Sequence, residues 1–143
     1  MTQPIATFTI EGKPVPKGRP RMSRSGHVFT PPKTVAAEER IRNLVGLEWS
    51  DDPIEGPVQI MLSFAFEIPK SWRKSKREDA AAGWVPHIST PDLDNLVKLV
   101  TDALNGVLYI DDRQIVRIDA AKLYMPAPAT MISFNTYEGN YVR

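Results

Sequence analysis

The stretch TPDLDNLVKLVTDALNGVLYIDD, Thr90–Asp112, decides how this chain is read. Leu93, Leu96, Val97, Val100, Ala103, Leu104 and Val107 recur at helical spacing and predict one buried helix face. Asn105–Gly106 closes that helix, because glycine accepts the left-handed conformation in which helices end. The same stretch carries five aspartates and a single lysine, more charge than a core helix needs. Asp92, after Pro91, suits a cap or first-turn position, where the helix dipole favours an anion. Asp94 fits that role less well, since residues two apart point to different sides of a helix. If Asp92 still belongs to the extended lead-in, the two carboxylates can converge beside the helix start and cradle a hard cation.

Lys98 lies one turn beyond Asp94 on the same face. It is either half of an ordinary i,i+4 pair or an ammonium facing a phosphate oxygen. Asp102, a further turn on, reads as structural, paired with Lys98 or turned to solvent. Asp111 and Asp112 open the next segment, RQIVRIDAAKLYM, which reads as a strand. Adjacent residues alternate faces there, so one of the two points towards Asp92 and Asp94. Clustered carboxylates repel unless a cation neutralises them. Mg²⁺ binds through a few carboxylates and keeps waters and phosphate oxygens as its other ligands. No His or Cys joins the set, which argues against zinc. An Asp-x-Asp, a Lys one turn later and a third Asp together suit metal-assisted phosphodiester chemistry.

Outward from this block, IATFTIEGKPV reads as a first strand. Prolines 14, 16, 20, 31 and 32 and glycines 18 and 26 make the next segment an extended loop. KTVAAEERIRNLVGLEW reads as an amphipathic helix and VQIMLSFAFEIP as a central strand, apolar on both faces. SWRKSKREDAAAG suggests a short helix capped by Ser71, and ATMISFNTYE a last strand. The order predicts an α+β (α/β) fold: one domain over residues 1–143, with a small mixed or antiparallel sheet packed by helices. VQIMLSFAF and Trp49, Trp72 and Trp84 serve either the core or an interface.

With 143 residues, 42% of them hydrophobic, the chain can bury a real core. There is no long apolar run and no charged-then-apolar leader in MTQPIATFTI, so neither a membrane span nor a signal peptide is expected. The absence of cysteine excludes disulfides and thiolate zinc sites and fits a cytoplasmic location. The net charge of +1 hides an uneven distribution. Lys13, Lys17, Arg19, Arg21, Arg24 and Lys33 form one basic run, and Lys70, Arg73, Lys74, Lys76 and Arg77 another. Basic surfaces around an acidic site suit a metal-dependent enzyme acting on a polyphosphate; solvated loops of ordinary charge are the plainer reading.

The block PDLDNLVKLVTDALNGVLYIDDRQIV closely resembles the signature region of the RusA-type Holliday-junction resolvases of bacteria and their prophages. Pro-Asp-x-Asp-Asn-Leu-x-Lys, Asp-Ala-Leu, the Gly turn and Asp-Asp-x-Gln-Ile are all present. GKPVPKGRPR, FTPPKT and Lys122 extend the likeness in weaker form. The resemblance implies a small α/β domain acting as a homodimer on four-way DNA junctions in recombination and repair. It implies Mg²⁺, with Mn²⁺ able to substitute, and paired symmetric nicks that leave 5′-phosphate and 3′-hydroxyl ends. Asp92, Asp94 and Asp112 match the family's metal-binding acids, and Lys98 its catalytic lysine. Asp111 would support them from behind, while Lys13, Lys17, Arg19, Arg21 and Lys122 would contact the DNA. Thr90 departs from the pattern, where many relatives carry a basic residue; His87 nearby reads as a surface or packing residue. A nuclease for flaps, forks or D-loops, or a DNA-structure-binding module without catalysis, would share these residues.

Overall fold

The computed structural model describes residues 4–138. In chain order its elements are β1 (Ala6–Glu11), β2 (Arg21–Met22), β3 (Val28–Phe29), α1 (Pro32–Glu48), β4 (Val58–Glu67), α2 (Lys74–Ala81), α3 (Leu93–Ala103), a 3-10 turn (Asp112–Gln114), β5 (Ile115–Met125) and β6 (Ala129–Thr136). Four strands form one mixed sheet in the order β1-β6-β4-β5, and β2 pairs with β3 in a small hairpin. β6 runs antiparallel to both β1 and β4, whereas β4 and β5 are parallel. Parallel neighbours need a crossover, and α2 and α3 supply it. The mixed α+β architecture expected from the sequence is therefore present, with β4 in the interior of the sheet.

Helices cover one face. Phe8, Ile10, Ile60, Leu62, Phe64, Phe66, Ile132 and Phe134 alternate inward along three strands and meet Ile41 and Val45 of α1 and Leu96, Leu99, Val100 and Ala103 of α3. Burying a side chain of this size stabilises the fold by about 1.5–3 kcal/mol. The opposite face was expected to be apolar along β4, but there Gln59, Met61 and Ser63 point away from the helices, and Met61 is exposed. β4 is central because strands flank both its edges, while only one of its faces builds the core.

Local boundaries follow elementary constraints. α1 starts with Pro32 at its first position, where a missing N–H loses no intrahelical bond. The short helix begins later than expected: Arg73, not Ser71, occupies its N-cap, and Trp72 N–H bonds to Pro69 O in a turn before it. The long basic loop is interrupted by the β2–β3 hairpin, reversing around Gly26 at φ 86°. α3 ends at Ala103, and Gly106 adopts φ 77°, as its place in Asn-Gly predicts.

Candidate active site

α3 begins in an unusual way. Asp92 holds the N-cap position with extended backbone, φ −71° and ψ 141°, and its carbonyl accepts the Leu96 N–H at 3.2 Å. Its carboxylate makes no capping hydrogen bond. The side chain type best suited to cap a helix therefore leaves the cap unmade and faces outward. Asp94 sits in the first turn, also exposed, at the positive end of the helix dipole.

The lead-in to Asp92 is fixed from β5. Lys122 Nζ donates to Ser89 O at 2.7 Å and to Pro91 O at 3.0 Å, gathering the chain on both sides of the cis Thr90–Pro91 peptide. His87 stacks on Phe66 with ring centroids 4.1 Å apart and packs against Tyr124 at 5.0 Å. Burial, reinforced by the positive charge of Lys122, lowers the His87 pKa. His87 is thus a packing residue. Lys122, expected on the DNA surface, has its ammonium turned to two backbone carbonyls.

One face of α3 carries Asp94, Lys98 and Asp102 in successive turns. Lys98 Nζ lies 3.1 Å from Asp102 Oδ1, and Lys17 Nζ lies 3.2 Å from Asp102 Oδ2. Lys17 also pairs with Glu38 of α1. Burial alone would raise the Asp102 pKa, but hydrogen bonds from Lys98 and Lys17 outweigh it and hold the carboxyl below its usual range. Burial likewise works against the Lys17 ammonium, and Glu38 and Asp102 overcome it, raising its pKa. Asp102 is structural, as its spacing predicted. Lys17, expected on the DNA surface, instead ties the basic loop to α1 and α3.

Asp111 and Asp112 do not lie on a strand edge. They start the 3-10 turn. Asp111 Oδ1 accepts the Arg113 N–H at 2.9 Å, while Gln114 Oε1 accepts the N–H groups of Ile110 and Asp111, both at 2.9 Å. This reciprocal capping arrangement gives Asp111 a local task. Gln114 Nε2 reaches the Ile54 and Gly56 carbonyls at 2.6 and 2.9 Å, anchoring the turn to the segment that leads into β4. Beneath it, fully buried Tyr109 donates to Thr101 O at 2.6 Å, and burial, then Asp112, Asp102 and Asp111, push its hydroxyl pKa up.

Asp112 is consequently held beside α3. Burial raises its pKa, and contact with Asp102 raises it further, while the Lys98 charge opposes both. Lys98 therefore has acids on two sides: Asp94 towards the helix start, and Asp102 with Asp112 towards its end. Asp94 and Asp102 are eight residues apart, about 12 Å of helix rise. Among the described residues no three acids are grouped as a ready metal-binding set. The donor chemistry still fits a hard divalent cation: Asp92 and Asp94 are outward-facing and uncapping, Asp112 carries a repulsion that a cation would relieve, and the set is all oxygen.

Among the basic residues, Lys13, Arg19 and Arg21 remain exposed and outside the ion pairs of the described residues. Lys33 and Arg40 share that state, and sequence reasoning did not single them out for DNA contact. Their only signal was position: Lys33 ends the basic run, and Arg40 occupies an exposed position on α1.

Comparison with known proteins identifies the family. The model of the family described as endodeoxyribonuclease RusA matches residues 11–134. An uncharacterized protein, YqaN of Bacillus subtilis (strain 168), is 36% identical over 126 residues, covering 85% of this chain and 89% of its own length. The match spans the basic loop, the whole of α3 and β5 together, and the chain belongs to the RusA endodeoxyribonuclease family.

Proposed function

We propose that this chain is a Mg²⁺-dependent nuclease that resolves four-way DNA junctions as a homodimer, by paired symmetric nicks. The observation that carries the reading is the Asp92 carboxylate, which stands at a helix N-cap without capping, fewer than two turns from an ammonium flanked by acids. Structural needs alone do not account for that arrangement. Asp92, Asp94 and Asp112 would hold the cation. When bound, it supplies positive charge against the phosphate oxygens and makes a water acidic enough to serve as nucleophile.

The chain's own residues supply the rest. Lys98 is 58% exposed at its side chain, so its ammonium can leave Asp102 and donate to a non-bridging oxygen as negative charge develops there. Asp102 holds it in reach beforehand. Lys122 fixes the backbone from which Asp92 projects, and Gln114 fixes that of Asp112. Arg19, Arg21 and Lys13 hold flanking phosphates, giving affinity and orientation rather than base recognition. Two copies related by a two-fold axis match the symmetry of a junction cut on opposed strands.

The direct test is a synthetic four-way junction incubated with and without Mg²⁺, beside a flap of the same sequence. Paired nicks in the junction, dependent on metal and lost in Asp94→Asn with binding retained, are expected. Full activity of Asp94→Asn overturns the assignment of that acid, and preferential cutting of the flap overturns the junction reading.

A further inference from the structure

We propose that a cavity beside α3 receives one unstacked nucleobase of the bound DNA, with Lys13, Lys33 and Arg40 holding the adjoining phosphates; this rests on the junction-nuclease reading above. The cavity lies where β1, α1 and α3 meet and measures about 260 Å³. Ile10, Val15, Ile41, Phe64, Leu99 and Val100 give it apolar walls. Lys13, Lys33 and Arg40 line it too and are exposed, so its mouth is cationic. None of these three side chains enters an ion pair among the described residues. Apolar walls below unpaired cations complement a flat heterocycle attached to a phosphate. The volume falls just under the roughly 300–1,000 Å³ of sites for drug-sized ligands. That is room for a base, with its sugar and phosphate left at the mouth.

The surroundings say how a DNA strand reaches it. Lys13 and Lys33 also line a neighbouring depression whose other wall includes Thr90 and Pro91. Lys33 lines a third depression with Arg19 and Arg21. The three share side chains and form one basic track from β2, past the cavity mouth, to the residue before Asp92. A strand following this track presents a phosphate near Asp92 and a base over the cavity. A branch point offers such a base, because stacking is already interrupted there and extraction costs less than the few kcal/mol needed within a paired duplex. Leu99, which directly follows Lys98, is part of the wall, so an occupant presses on the helix that carries that lysine. The cavity would thereby add a preference for branched over linear DNA that phosphate contacts cannot give.

The experiment uses the whole chain without metal and four-way junctions carrying 2-aminopurine at each position next to the branch. Emission should rise on binding at one of these positions. Ala37→Phe, which directs a ring from α1 into the cavity, should lose that rise along with the preference for junction over linear duplex. Lys13→Ala combined with Lys33→Ala should flatten the dependence of log K on log salt by about 1.8, at about 0.9 per phosphate contact. Wild-type protein that binds the metal-free junction with no emission change anywhere, and nicks it once Mg²⁺ is added, overturns the base pocket alone. So does an Ala37→Phe protein that keeps the rise, or an unaltered salt slope in the lysine double variant, which remains informative if Ala37→Phe does not fold. Failure of the wild type to bind any junction, or to nick one once Mg²⁺ is added, overturns the underlying nuclease reading as well.

Discussion

Gln114→Ala probes the joint between fold and site. The wild-type amide accepts the Ile110 and Asp111 N–H groups and donates to the Ile54 and Gly56 carbonyls, all at 2.6–2.9 Å. A hydrogen bond contributes about 0.5–1.5 kcal/mol net, and less where water can replace the partner. The bonds to Ile110 and Gly56 lie in exposed surroundings, while those to Asp111 and Ile54 are partly buried. Counting the buried two at about 1 kcal/mol each and little for the others gives a loss of about 2 kcal/mol. For a chain of this length each kcal/mol moves the midpoint by roughly 3–4 °C, so thermal unfolding should begin about 6–8 °C lower. Gln114→Glu keeps both acceptor contacts but turns an oxygen towards two carbonyls, and should be no more stable than the alanine variant. Because the turn sets where Asp112 stands, Mg²⁺-dependent nicking should fall well below the wild-type rate at temperatures where the variant is fully folded, with junction binding preserved. Calorimetry or circular dichroism reads the first effect and a gel-based nicking assay the second. A midpoint within about 1 °C of wild type refutes the anchoring of the turn. A lowered midpoint with full nicking activity refutes its role in placing Asp112.

Asp112 has a folded pKa above its unfolded 3.8, so the folded state retains its proton longer and loses stability as pH rises through that window. Asp112→Asn should therefore raise the metal-free midpoint at neutral pH while abolishing nicking, and Mg²⁺ should stabilise the wild type but not this variant; a lower midpoint at pH 7 contradicts the repulsion. Lys98→Ala should slow nicking by about 10²-fold or more, judged by single-turnover rates, while costing no more than about 1 kcal/mol of stability, because Lys98 is more than half exposed and Asp102 keeps its pair with Lys17. Lys122→Met should raise the His87 pKa by removing the charge that helps depress it, followed by NMR titration of the imidazole, and should make the segment before Asp92 easier to cleave with a protease. Lys17→Ala should lower stability with little change in the salt dependence of DNA binding, whereas Arg21→Ala should do the reverse; equal salt slopes in the two would show that Lys17 faces DNA after all.

Much of the scaffold was legible because it depends on local periodicity. The apolar spacing of α3, the strand character of VQIMLSFAF and the Asn-Gly stop each reflect contacts set within a few residues. Asp102 was likewise readable as structural, since its lysine partner sits one turn away. What escaped the sequence was long-range. DDRQ looks like the head of a strand until Gln114 is seen bonding to Ile54 and Gly56, far away in the chain. Lys17 and Lys122 read as free cations because nothing near them in sequence announces Asp102, Glu38 or the carbonyls of Ser89 and Pro91. Arg40 was overlooked, and Lys33 read only as the end of a basic run, for the converse reason: a cation left unpaired at a cavity mouth is known only after every other partner has been placed.

β5 leads away from Asp112 at one end and grips the lead-in to Asp92 through Lys122 near the other. It therefore works as a measuring rod laid along α3. A single inserted residue between Ile115 and Lys122 would displace the two ends by about 3.3 Å and turn Lys122 to the opposite face of the sheet. Length changes should consequently be tolerated in the β2–β3 reversal around Gly26 and rejected in this strand, even where its side chains are exposed. A segment whose exterior gives no hint of it should thus resist insertion, and a scan of single-residue insertions across 115–122 would trace the rod's graduations directly.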